Sequence, residues 1–227
     1  MITQGRRRRP SRSAVPLSTA HRSAGTAPVM EAMRVRPKLA LIMRHASGTL
    51  WARMDWDRAR WGCMTREPEP SRSAGPTVIR LGEEDWRAWR AVRLAALADA
   101  PGAFGSTLEH EQALGEEAWR AMTRGAAILV AVAGGIPIGV VAGVGRPSAG
   151  ERGLGAMWVT PAWRSHGVAA LLVGAVIDWA RDEGCAQVGL WVPADNARAR
   201  RFCERQGFRA TGHSRPFPAT PSARSAR

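Results

Sequence analysis

Residues 157–184 read MWVTPAWRSHGVAALLVGAVIDWARDEG, and the fold turns on how that stretch divides. It divides into a strand, a tight turn and a long amphipathic helix. Trp158 and Val159 end an apolar run, and Pro161 then removes a ladder donor and stops the strand. A turn over residues 162–166 leads to a helix that opens at Gly167. Val168, Leu171, Leu172, Ala175, Val176, Trp179 and Ala180 recur at helical spacing and form one apolar face. Arg181 in the last turn and Gly184 just past it are stop signals.

The first turn of this helix carries the chemistry. Arg164-Ser165-His166-Gly167-Val168-Ala169 is short on bulk and includes a cation. A helix start leaves backbone N–H groups unpaired, with the positive end of the dipole behind them. Gly167 and Ala169 allow a phosphate close to that backbone, and Arg164 adds a full charge, so the turn is an anion site in waiting. The same six residues also admit a plain strand-to-helix turn in which glycine serves only the backbone.

Upstream, Thr77–Leu81 alternates as a first strand, and Glu83, Glu84 and Asp85 crowd a helix start. Trp86, Trp89, Val92, Ala96 and Leu97 share one side of that helix. Arg93 falls on the same side, where a cation needs a carboxylate or a bound anion; the expectation is an arginine snorkelling at the core edge. DAPGAFGST, residues 99–107, is a loop with Phe104 as an apolar plug. A second helix is expected over 115–123, then strands over 126–133 and 136–144 joined by Gly134-Gly135. A central strand over 154–160 precedes the long helix. Downstream come a strand over 187–192, a helix capped by Asp195 and Asn196, and a strand over 208–211. The order β-α-α-β-β-β-α-β-α-β predicts an α/β protein with a mixed, largely antiparallel central sheet and helices on both faces.

The first 76 residues differ in composition. They carry 15 Lys+Arg against 5 Asp+Glu, whereas residues 77–227 carry 18 against 14. Arg, Ser and Pro dominate the opening, so residues 1–76 read as a basic, mostly disordered extension and 213–227 as a disordered tail, on either side of a domain over 77–212. A basic arm can contact nucleic acid, or it can be a transit peptide. It can also be a non-physiological extension ahead of a start at Met30, Met33, Met43 or Met64. Arginine outnumbers lysine 32 to 1, as a GC-rich genome would produce, which favours an inert arm over a nucleic-acid contact. The tryptophans at 51, 56 and 61 fit no single face and suggest no chemistry. Cys63, Cys185 and Cys203 form no CxxC pair and the five histidines are scattered, so no metal site is expected and a reducing, cytoplasmic setting is. No apolar run reaches the roughly 18 residues a bilayer span requires, so no membrane partner is expected.

Two segments together resemble the GNAT superfamily of acyl-CoA-dependent N-acetyltransferases. Arg164-x-x-Gly167-x-Ala169 is similar to its Q/R-x-x-G-x-G/A pyrophosphate loop. Asn196, Ala199, Phe202 and Gly207-Phe208 are similar to its N-x-x-A-x-x-F-Y-x-x-x-G-F segment, and the DAPGAFGST loop to one in small bacterial members. The resemblance spans about 77–212 and implies the GNAT fold. It implies acetyl-CoA as co-substrate, its pantetheine lying where the central strand and the next strand part. Backbone groups of Met157, Trp158 and Val159 would then meet the pantetheine amides. Arg164, Ser165, His166, Gly167, Val168 and Ala169 would hold the pyrophosphate, and Asn196 would touch the cofactor arm or merely cap its helix. A small-molecule or peptide amine would enter past residues 99–107 and attack the thioester directly, a strand N–H meeting the oxyanion.

The chain departs from the family pattern in three ways. It has no tyrosine, and the family's tyrosine acid falls at Cys203, which is either a proton donor or a small buried side chain. The central strand lacks an acid; Glu109, Glu111 and Glu151 are the nearest carboxylates, each expected to be a solvated surface charge. The family's last strand is without a pattern in residues 212–227 and is expected to be missing. These departures motivate a second reading, a non-catalytic acyl-CoA-binding module. A homodimer is among the assemblies left open.

Overall fold

The computed structural model describes residues 29–37, 75–145 and 150–216. Seven strands form one sheet in the order β2-β3-β4-β5-β6-β1-β7: β1 Val29–Val35, β2 Thr77–Leu81, β3 Ala126–Ala133, β4 Ile136–Gly145, β5 Glu151–Val159, β6 Gln187–Pro193 and β7 Arg209–Pro216. The helices are α1 Trp86–Asp99, α2 Leu108–Gln112, α3 Glu116–Gly125, α4 Val168–Asp182 and α5 Ala197–Arg205. Within this sheet only β5 and β6 pair in parallel, so the sheet is mixed and largely antiparallel, as the element order predicts.

Each face of the sheet buries its own core. Leu172, Val173, Val176 and Ala180 of α4 pack with Val141, Leu190 and Val192, while Trp89, Leu97 and Trp119 of α1 and α3 pack with Ile128, Val130 and Val140. Helix α4 lies close on β4 because Gly143 offers no side chain there. A Cβ at Gly143 would stand 2.3 Å from the Trp179 ring, well inside any real contact.

Arg93 is not a snorkelling surface cation. It is buried against Glu111 of α2 in a two-pronged ion pair, Nη2 to Oε1 at 2.7 Å and Nε to Oε2 at 2.9 Å, with its guanidinium 4.6 Å from the Phe104 ring centre. Glu111, expected at the surface, is 5 % exposed for the same reason. The pair fastens α2 and the preceding loop to α1, and one partner without the other would leave an uncompensated buried charge.

The largest correction concerns both ends of the chain. Residues 29–35, inside the segment read as a disordered extension, form β1 and sit between β6 and β7. Met33 lies opposite Leu190 on one side and Ala210 on the other, and is 1 % exposed. Arg34 reaches Glu151 at 3.1 Å and Glu31 reaches Arg200 at 2.6 Å, so the strand is also held by charge. Glu151, expected to be solvated, is thereby buried and paired. At the other end β7 runs to Pro216, four residues beyond the expected domain boundary and into the expected loose tail. The strand expected over 208–211 is thus present and longer, no further strand follows it among the described residues, and β1 lies between it and β6. The tryptophan series at 51–61 and Cys63 lie outside the described residues.

Met33→Ala should lower stability by about 2–5 kcal/mol in urea unfolding, the cost of truncating a buried methionine. A change near zero would mean that residues 29–35 do not dock in the sheet.

Candidate functional site

The site begins where two strands part. Strands β5 and β6 pair only from Glu151↔Gln187 to Leu154↔Leu190. Beyond Leu154, β5 continues against β4 through Trp158↔Val140 and Val159↔Gly139, while β6 continues against β1 through Trp191↔Ala32 and Pro193↔Met30. Their facing backbone groups are thus released from each other along the second half of β5. A bulge lies on the same stretch. Val140 opposes Trp158 and Ala142 opposes Gly155, so Ala156 and Met157 together face Val141. Ala156 sits at φ +50°, a conformation costly for a residue with a Cβ and one that collects at functional sites.

Past Val159 the chain makes a tight descent into α4. Thr160 N–H donates to Ile138 O at 2.9 Å, and Pro161–Trp163 forms a 3₁₀ turn closed by Arg164 N–H to Pro161 O at 3.2 Å. Trp163 is buried and anchors the turn, its ring meeting that of His166 edge-on. Ser165 at φ +68° and Gly167 at φ +81° reverse the chain, and Val168 then drops into the core. The first helical bond runs from Leu171 N–H to Gly167 O at 3.1 Å, so the amides of Val168, Ala169 and Ala170 precede it at the helix mouth. Open space lies where a Gly167 side chain would be. Residues 164–169 therefore stand together at the start of a 15-residue helix, on the open end of the β5/β6 gap.

Arg164 is the member whose side chain departs from expectation. Its guanidinium does not stand free over the helix mouth: Nε donates to Val159 O at 3.1 Å, and Nη2 pairs with Asp99 Oδ2 at the end of α1. Trp158 Nε1 donates to the same Asp99 oxygen at 2.8 Å. His166 is exposed, with Nδ1 2.9 Å from Arg164 O. Asp99 was visible in the sequence only as the first residue of a loop. Nothing in the pattern joined it to residues 65 positions away.

The remaining expected residues are spread around the gap. Asn196 caps α5, its Oδ1 accepting from Ala199 N–H at 2.9 Å. Cys203 is 6 % exposed, in the core with Met33 and Phe208, and burial pushes its thiol up to about 11. Of the three carboxylates considered as bases, Glu109 is exposed, Glu111 is bound by Arg93 and Glu151 by Arg34. Among the described residues no three His, Cys, Asp or Glu side chains gather as metal ligands, and no helix is long and apolar enough to cross a membrane.

Comparison with solved structures bears on the fold. A structure of AAC(6')-Iy in complex with the bisubstrate analog CoA-S-monomethyl-acetylneamine is similar at 19% identity and TM-score 0.50, over 62% of this chain and 95% of that one. A functionally unknown conserved protein from Staphylococcus epidermidis is similar at 13% identity and TM-score 0.51, over 83% of this chain and 60% of that one. Curated proteins give no match. The model of the GNAT acetyltransferase family matches residues 83–208, more than half of the sequence and the whole stretch from the start of α1 to Phe208. The chain belongs to the GNAT acetyltransferase family.

Proposed function

We propose that this protein moves an acetyl group from acetyl-CoA to a primary amine of a small molecule or peptide. The observation that carries the reading is the parting of β5 from β6 beside an open helix mouth, in a chain of this family. The residues fit the cofactor's shape: unpaired strand edges suit an amide-bearing arm, and three helix-mouth amides suit a diphosphate. Backbone groups of Met157, Trp158 and Val159 would align the arm. The free amides at the helix mouth, those of Val168, Ala169 and Ala170, would hold the phosphates, since the amides of Arg164 and His166 already donate to Pro161 O and Trp163 O. Acetyl-CoA supplies an activated acyl group with a thiol leaving group. The bisubstrate analog bound by AAC(6')-Iy supports a small-molecule amine as the first acceptor class to test.

Proton handling follows from the side chains. An acceptor amine has a pKa of about 10 and must lose a proton before it can attack. The leaving thiol has a pKa of about 8.5, so it departs nearly as a thiolate and needs little help. Cys203, with its thiol raised to about 11, is a weaker acid than that leaving group, and its burial supports a packing role. Arg93 and Arg34 hold Glu111 and Glu151. That pairing favours one second reading, a module that binds acyl-CoA without turning it over.

Calorimetry with CoA and thiol release with a panel of amines, amino acids and peptides separate the two readings. Binding with turnover supports the enzyme, binding without turnover the module. The chain tested must include residues 29–35, since a start at residue 64 or 77 removes a strand of the sheet. Gly167→Glu should weaken CoA binding by about 100-fold, because a carboxylate would stand at the helix mouth. Gly167→Ala bears the same left-handed backbone cost, about 1–2 kcal/mol, without the charge, and should bind within a few-fold of wild type. Equal affinities for Gly167→Glu and wild type would remove the phosphate assignment. Cys203→Ala should leave kcat within about twofold, and a larger loss measured by thiol release would restore the thiol as an acid.

A further inference from the structure

The cation best placed for a diphosphate is already engaged. Arg164 lies one turn ahead of the α4 mouth, yet its guanidinium reaches across to α1, with Nη2 on Asp99 Oδ2 and Nε on Val159 O. Both contacts matter for the gap. Val159 is the last residue of β5, so its carbonyl is a backbone acceptor at the gap's open end. Asp99 is fixed from the other side by the indole of Trp158, which is buried in the core under α1. The carboxylate is therefore the stationary partner. Arg164, with 43% of its side chain exposed, is the one that can turn.

We propose that Asp99 sets the affinity of this protein for its diphosphate-bearing cofactor by competing for Arg164. This rests on the reading of the β5/β6 gap and α4 mouth as the CoA site. Two anions then have a claim on one guanidinium. A diphosphate at the helix mouth offers more charge than a single carboxylate, and phosphate oxygens accept both arms of the guanidinium. Binding moves Arg164 from Asp99 to phosphate and clears the Val159 carbonyl. Asp99 stays behind on Trp158 without its arginine, and the loss of that accessible ion pair lowers cofactor affinity. Asp99 is thus a positioning residue, acting on the cofactor through Arg164.

A double-mutant cycle on the full chain tests this, with CoA titrated by calorimetry. Asp99→Asn keeps the size and an acceptor oxygen for Trp158 but removes the competing charge. The variant should bind CoA about threefold to fivefold more tightly than wild type, the range an accessible ion pair is worth. In an Arg164→Gln background the same change should have no effect. Asp99→Ser is a second variant should the asparagine form unfold at a lower temperature, and the same tightening is expected. If wild type binds CoA and neither Asp99 variant binds more tightly, the competition is overturned while the CoA site stands. Tightening that persists in the Arg164→Gln background also overturns it, since the effect would then be long-range charge alone. Absence of CoA binding by wild type overturns this proposal and the site reading together.

Discussion

Every N–H and C=O in a sheet interior needs a partner, and this sheet withholds partners along one seam. From Gly155 onward β5 and β6 turn toward their outer neighbours, β4 and β1, and no longer pair with each other. Such a seam is tolerable because the strands on both sides are fixed from outside. The bulge at Ala156 and Met157 lets β5 bend with β4, and the pairing of β1 along β6 holds the far edge. The helix mouth of α4 sits where it does because Trp163 and Val168 are buried on either side of the turn. Remove the seam and the turn becomes an ordinary connection between a strand and a helix.

The electrostatics around the seam show a consistent habit. Three carboxylates, two of them buried, are each matched to an arginine brought from another element: Glu111 to Arg93, Glu151 to Arg34, and the more exposed Asp99 to Arg164. Desolvating a charge is costly, and pairing offsets that cost without removing it. The first two pairs join elements of the scaffold. The third joins the scaffold to the turn that faces the gap, and its arginine stands at the helix mouth with 43% of its side chain exposed.

Where the sequence was legible, one local period decided the matter. The hairpin of β3 and β4 announced itself through continuous apolar runs around Gly134-Gly135, and α4 through its 3.6-residue stripe. The α5 cap at Asn196 followed from residue type alone. The Arg164–Ala169 turn was legible as a backbone shape, but not the direction of the Arg164 side chain, which depends on a carboxylate far away in sequence. Helix α2 was missed because five residues are too few to show a period, and with it went the partner of Arg93. Strand β1 was missed because VMEAMRV is flanked by Arg-, Ser- and Pro-rich sequence and its partners lie at the other end of the chain. Non-local pairing leaves no local trace.

That placement of β1 has a consequence for how the molecule comes to be assembled. The strand leaves the ribosome well ahead of its neighbours, Gln187–Pro193 and Arg209–Pro216. Its hydrogen bonds must wait until those neighbours have been made, and closing so long a loop raises the entropic barrier to folding. Until β1 docks, the outer edge of β6 is an open docking strip. The nascent protein is therefore most exposed to mispairing and chaperone capture in the interval before β1 returns.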